Sequence, residues 1–138
     1  MRSYNDVKIG EEIPSFTIKM DRTIYKQYCK LVYEINPLHF NEKYAQSLGF
    51  KSIVVAGVFT YSFFLRSLLT WVKNPTSIKN LQIRFHEPVY IEDTLTHRTK
   101  IRKKYVKDSI HYIDCHVRVE NQDKELVTSG SVTLVLNS

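Results

Sequence analysis

Hydrophobic and polar positions change rhythm along this chain, from helical spacing in the first half to alternation in the second. Over 23–33, Ile24, Tyr28, Leu31 and Val32 recur at helix-like intervals behind Asp21 and Thr23, either of which can cap a first helix. That helix ends at Asn36-Pro37, because the proline ring pushes Asn36 out of the helical region and removes a backbone donor. A second, short helix is expected from the Asn41 cap to Gly49, with Tyr44, Ala45 and Leu48 on one side. The stretch between the two is a fixed loop carrying His39.

From 53 to 72 the chain is apolar apart from a few hydroxyls, Gly57 and Arg66, and about twenty such residues suffice to span a bilayer. Arg66 speaks against a span, since a charge inside the run costs about 2.5–3.5 kcal/mol on insertion and the following chain turns at once to alternation. The run is read instead as a β-like approach over 53–56, a break at Gly57 and a helix over 58–73. Val58, Tyr61, Leu65, Leu68, Leu69 and Val72 form one stripe of it, while Phe59, Phe63, Phe64 and Trp71 spread apolar surface over much of the rest. Such a helix has to be wrapped, and a curled antiparallel sheet does this without lipid.

Downstream the period becomes two. Leu81, Ile83 and Phe85 alternate with polar neighbours, as do Ile113, Cys115, Val117 and Val119, and Val132, Leu134 and Leu136 face one way. Residues 121–124 supply a turn, a further strand fits 94–103, and a short one fits 17–19. Helices followed by strands, with none interleaved, predict an α+β fold rather than a doubly wound parallel sheet.

Composition agrees with one folded domain over 1–138: 43% hydrophobic, 25% charged, with few Gly or Pro. The polar start at Met1-Arg2-Ser3 lacks a secretory h-region, so a cytoplasmic address is expected. Cys29 and Cys115 stand far apart without CxxC spacing, and His97, His111 and His116 lack partners at ligand spacing, so neither a metal nor another cofactor is expected. His86, at a strand end, reads as a hydrogen-bonded structural residue. A net charge of +6 favours a polyanionic partner, for which nucleic acid, an anionic surface and coenzyme A phosphates all qualify. The basic cluster Lys100, Arg102, Lys103, Lys104 and Lys107 comes with no nucleic-acid motif and reads as a solvated strand end and turn.

The segment Glu34-Ile35-Asn36-Pro37-Leu38-His39-Phe40-Asn41, with Val54 to Val58 after it, carries the candidate chemistry. His39 is a neutral-pH acid or base on a proline-stiffened loop. Glu34 is a carboxylate close enough in sequence to share its site, and Gly57, opening a buried helix, exposes amides where an oxyanion can be held. Adding water across a conjugated thioester needs that set: a group to deprotonate water, one to manage the α-carbon proton, and a donor for the enolate-like oxygen.

This run resembles the signature of MaoC-like dehydratases and (R)-specific enoyl-CoA hydratases, Asp-x-Asn-Pro-hydrophobic-His-x-Asp followed by a His-Gly-Met-like helix start. Asn36, Pro37, Leu38 and His39 match directly, and the similarity extends from about Lys8 to the C-terminus. The resemblance implies a hot-dog fold, a sheet wrapped around one long helix, and a dimer whose two sheets join side by side. It implies His39, Glu34 and Gly57 as catalytic residues. A coenzyme A or acyl carrier protein thioester is expected in a tunnel beside the central helix, with Asn36, Val58 and Tyr61 as substrate-binding residues, and no partnership with nucleic acid or membrane. Three positions depart from the signature: Glu34 and Asn41 stand where it has Asp, and Ala56 where it has His. They leave open a second reading, a catalytically degenerate subunit that binds the acyl chain and pairs with an active relative.

Overall fold

The alternating segments pair into a single antiparallel sheet in the computed structural model, which describes residues 2–137. Its strands are β1 (Glu12–Lys19), β2 (Ile78–Phe85), β3 (Thr94–Lys107), β4 (Ile110–Glu120) and β5 (Leu126–Val135), in the spatial order β1-β3-β4-β5-β2. Three α-helices lie between β1 and β2: α1 (Arg22–Leu31), α2 (Glu42–Ser47) and α3 (Gly57–Val72). Asp21, not Thr23, caps α1 by accepting the Ile24 N–H, and Asn41 caps α2 by accepting that of Tyr44.

Cross-strand pairing lines up the apolar residues in rows. One row reads Phe16, His97, Val119, Thr128, Phe85 from edge to edge; the next reads Ile13, Thr99, Val117, Gly130, Ile83. Because side chains alternate with a period of two, every member of a row points to one face. That face meets α3. Gly57 lies against the Phe85 ring of β2, Phe64 against Gly130 of β5, and the Arg66 guanidinium sits 5.9 Å over the Phe16 ring of β1. One helix thus reaches both edge strands of a sheet roughly 19 Å across, which fits a sheet curled around it. This is the hot-dog arrangement the resemblance implies. No helix among the described residues is long and apolar enough to cross a membrane.

The burial of the helices differs from their sequence periodicity. On α3 the buried set is Phe59, Thr60, Phe64, Leu68, Trp71 and Val72, whereas Val58 is 53% exposed and Leu69 also faces outward. A helix apolar nearly all round carries little directional signal, so the largest rings decide which side goes in. On α1 the buried anchor is Tyr25 with Tyr28 packed beside it, while Ile24, Leu31 and Val32 are exposed; on α2 it is Ala45, with Tyr44 and Leu48 exposed. The strands run longer than their alternation predicts: β1 begins at Glu12, and β3 continues to Lys107 and carries the basic cluster out along its hairpin with β4.

Gly130 is required by packing. A Cβ there would strike the Gln82 carbonyl oxygen of β2 and press the Phe64 ring at 3.0 Å. Since the first obstacle is backbone, Gly130→Ala is expected to cost about 2 kcal/mol through overpacking, read as a lower midpoint in thermal or urea unfolding; an unchanged midpoint would refute the close approach.

Candidate active site

His39 is aimed by a short loop whose polar groups are nearly all accounted for locally. After α1 the chain reverses through Tyr33 at φ 55°, and the Glu34 N–H returns to the Cys29 carbonyl at 2.9 Å. Asn36 then caps the 3₁₀ turn Pro37–His39, its Oδ1 accepting the Leu38 N–H at 3.1 Å, and Pro37 sits at the start of that turn where a missing N–H costs nothing. The imidazole reaches the chain ahead of α3: His39 Nδ1 lies 2.8 Å from the Val54 carbonyl oxygen. A carbonyl can only accept, so Nδ1 holds the proton and Nε2 presents its lone pair. This fixes the tautomer a general base needs.

The segment from Val54 to Ala56 is pinned amide by amide. Val54 N–H donates to the Leu38 carbonyl (3.2 Å), Val55 N–H to Val89 (2.7 Å), and Ala56 N–H to the Tyr25 hydroxyl oxygen (3.0 Å). No side chain caps α3, and its first helical bond runs from Thr60 N–H to the Ala56 carbonyl. The amides of Gly57, Val58 and Phe59 are therefore unclaimed by the described residues, and a helix start with free amides favours an anionic oxygen. A Cβ at Gly57 would lie 2.6 Å from the tip of the half-exposed Phe85 ring, which would have to swing aside.

His39 and Gly57 line one cavity of about 370 Å³, together with Phe50, Val54, Thr60, Phe85 and Val89. Glu34 lines a neighbouring cavity of about 520 Å³ with Tyr25, Cys29, Tyr33, Phe40 and Ile53, rimmed by Arg22, Lys26 and Lys30. Its carboxylate accepts the Asn36 N–H at 3.1 Å. The two proposed acid and base residues thus open into different spaces in the single chain. Asn36, Val58 and Tyr61 line neither cavity: Asn36 caps its turn, Val58 is exposed and Tyr61 packs against the core. A larger opening of about 550 Å³, between β1 and the second half of α3, contains none of this chemistry.

Burial pushes the Cys29 thiol up and the Cys115 thiol up to about 12, so neither is poised as a nucleophile. His86 donates to or accepts from Ser129 Oγ at 2.7 Å, a structural bond at the strand end. Tyr25 and Phe85 are contributors that the sequence pattern does not single out, since their roles depend on contacts between elements far apart in the chain.

Several proteins are similar to this chain. The "(R)-specific enoyl-CoA hydratase" of Rhodospirillum rubrum is 32% identical over 94 residues, covering 67% of this chain and 65% of that protein's length. The mitochondrial "3-hydroxyacyl-[acyl-carrier-protein] dehydratase FERN" of Solanum lycopersicum is 27% identical over 99% of this chain and 81% of its own. Among solved structures, R-hydratase PhaJ1 from Pseudomonas aeruginosa superposes with a TM-score of 0.83 at 20% identity, covering 99% of this chain and 86% of that one. The ChsH1-ChsH2 complex from Mycobacterium tuberculosis gives 0.80 at 21% identity, covering 95% and 99%. These likenesses show the fold. The sequence pattern of the family described as "MaoC like domain" matches residues 7–124, and with that match over most of its length the chain belongs to the MaoC-like dehydratase family.

Proposed function

We propose that this protein adds water to a 2-enoyl thioester, or removes it from the 3-hydroxyacyl thioester, at the cavity shared by His39 and Gly57. One observation carries the reading: an imidazole locked in its Nε2-basic tautomer and an unclaimed helix-start amide line the same small space. In the hydration direction Nε2 takes a proton from water as the water oxygen bonds to C3. The displaced π electrons move onto the thioester oxygen, which the Gly57 N–H stabilises. The proton that His39 took from water passes to the Glu34 carboxylate, which delivers it to the α-carbon and so restores the carbonyl, leaving both residues as they began. For that transfer the Glu34 carboxylate has to leave the Asn36 amide and turn toward the imidazole. The carrier is coenzyme A or an acyl carrier protein, the two named for the relatives in Rhodospirillum and tomato. A homodimer fits the free edge of β2, whose unpaired backbone groups are available to a second copy.

A second reading has its own support. Glu34 tied to Asn36 in a separate cavity suits a subunit that shapes the acyl site and leaves the chemistry to a related partner, and the ChsH1-ChsH2 structure is a complex of two chains. Loss of crotonyl-CoA or longer 2-enoyl-CoA absorbance with the purified chain tests the first reading. Glu34→Gln is expected to lower kcat about 100-fold with the protein still folded. An unchanged kcat would remove Glu34 from the mechanism, whereas an inactive wild type that co-purifies with an Asp-bearing relative would establish the second reading.

A further inference from the structure

Tyr25 contacts both halves of the proposed site yet belongs to neither motif. It sits on α1, 3% exposed, and its hydroxyl donates to the His39 carbonyl at 2.7 Å while accepting the Ala56 N–H at 3.0 Å. A phenolic oxygen has one proton to give and lone pairs to receive, so one atom joins the loop holding the imidazole to the residue preceding Gly57. The surrounding groups leave little slack. The His39 ring holds the Val54 carbonyl, Leu38 holds the Val54 amide, Val89 holds the Val55 amide and Tyr25 holds the Ala56 amide, so Gly57 carries the first free N–H of the run.

We infer that Tyr25 is a positioning residue that sets the separation between the His39 imidazole and the Gly57 amide, so that both act on one thioester. Its catalytic consequence rests on the hydratase reading; its geometry does not. Phenylalanine at this position would keep the ring contacts, edge-on to Phe59 at 5.1 Å and stacked near Tyr28 at 6.1 Å, but would strand the buried Ala56 amide and leave the His39 carbonyl only the weak Cys29 thiol donor at 3.9 Å. Burial also pushes the Tyr25 phenol up, so it stays a proton donor through the neutral range. A displacement of ~1 Å between reacting groups can cost on the order of 100-fold in rate, which makes a spacer bond at this point consequential.

The experiment compares Tyr25→Phe with Tyr28→Phe, a control in the same ring cluster, by crotonyl-CoA kinetics, thermal unfolding and ¹⁵N–¹H spectra of the His39 side chain. For Tyr25→Phe we expect kcat to fall about tenfold or more with KM little changed, and the His39 Nδ1–H signal to broaden through faster exchange, while Tyr28→Phe keeps both. A folded Tyr25→Phe with wild-type kcat and an unaltered Nδ1–H signal, whatever its melting temperature, would overturn the inference. If the wild type proves inactive but its Nδ1–H signal is sharp and is lost in Tyr25→Phe, the positioning role stands and the hydratase reading falls. Should Tyr25→Phe fail to fold, amide exchange on the wild type decides: Ala56 protected and Gly57 fast supports the bond, and equal rates exclude it.

Discussion

Replacing His39 with alanine is expected to lower kcat for crotonyl-CoA hydration on the order of 1,000-fold, with KM changed far less. The side chain does two things, and the prediction separates them. Its Nδ1–H closes onto the Val54 carbonyl at 2.8 Å and helps hold the chain that leads into α3, while Nε2 is the free base. Alanine removes both. His39→Asn offers an amide N–H toward the same carbonyl but no basic nitrogen, so its melting temperature should lie nearer the wild type than that of His39→Ala while its kcat stays low. An asparagine variant with wild-type kcat would show that the imidazole is not the base.

The second large effect is on stability, in acid. His97 is 1% exposed on the inner face of β3, stacked 4.5 Å from the Phe16 ring, and neither ring nitrogen meets a hydrogen-bond partner among the described residues. Burial pulls its pKa down from 6.5 to about 4. Above pH 6.5 the imidazole is neutral in both states and makes no pH-dependent difference. Between pH 6.5 and 4 the unfolded chain binds a proton that the folded chain refuses, so this residue removes stability as the pH falls, about 3 kcal/mol by pH 4. Urea unfolding across this range should therefore show a steeper acid loss for the wild type than for His97→Leu, which keeps an apolar group there and cannot titrate. Parallel curves would mean that His97 gains its proton in the folded protein as easily as in the unfolded one.

Both predictions bear on how far the residues alone could be read. The strand alternation was legible because a half-buried strand writes its two faces directly into the order of residues: Ile113, Cys115, Val117 and Val119 are all buried, as are Val132, Leu134 and Leu136. The caps were legible because they are local, fixed by neighbours within a few positions, but the end of α1 was not: the helix stops at Leu31 and the chain reverses at Tyr33, ahead of the Asn36-Pro37 stop that the sequence predicts. The buried faces of α1 and α3 were not. Ile24 and Leu31 match a helical period as well as Tyr25 does, and only packing against α3 puts Tyr25 inside. His97, indistinguishable in sequence from the other strand histidines, owes its low pKa entirely to what the fold stacks over it.

Local rules and short spacings, acting between residues close in the chain, were enough to determine the helix-then-sheet order, the proline-braced loop with His39 and the glycine that opens the central helix. What only the tertiary structure decided is which groups meet across long stretches of chain: the His39 tautomer through Val54, the Tyr25 bridge to Ala56, the Phe85 ring over Gly57, and the placing of Glu34 in a different cavity from His39. Hydrophobic burial is not directional, so the pattern of residues says that surfaces close together, while hydrogen bonds and ring shapes select the partners only once they have closed.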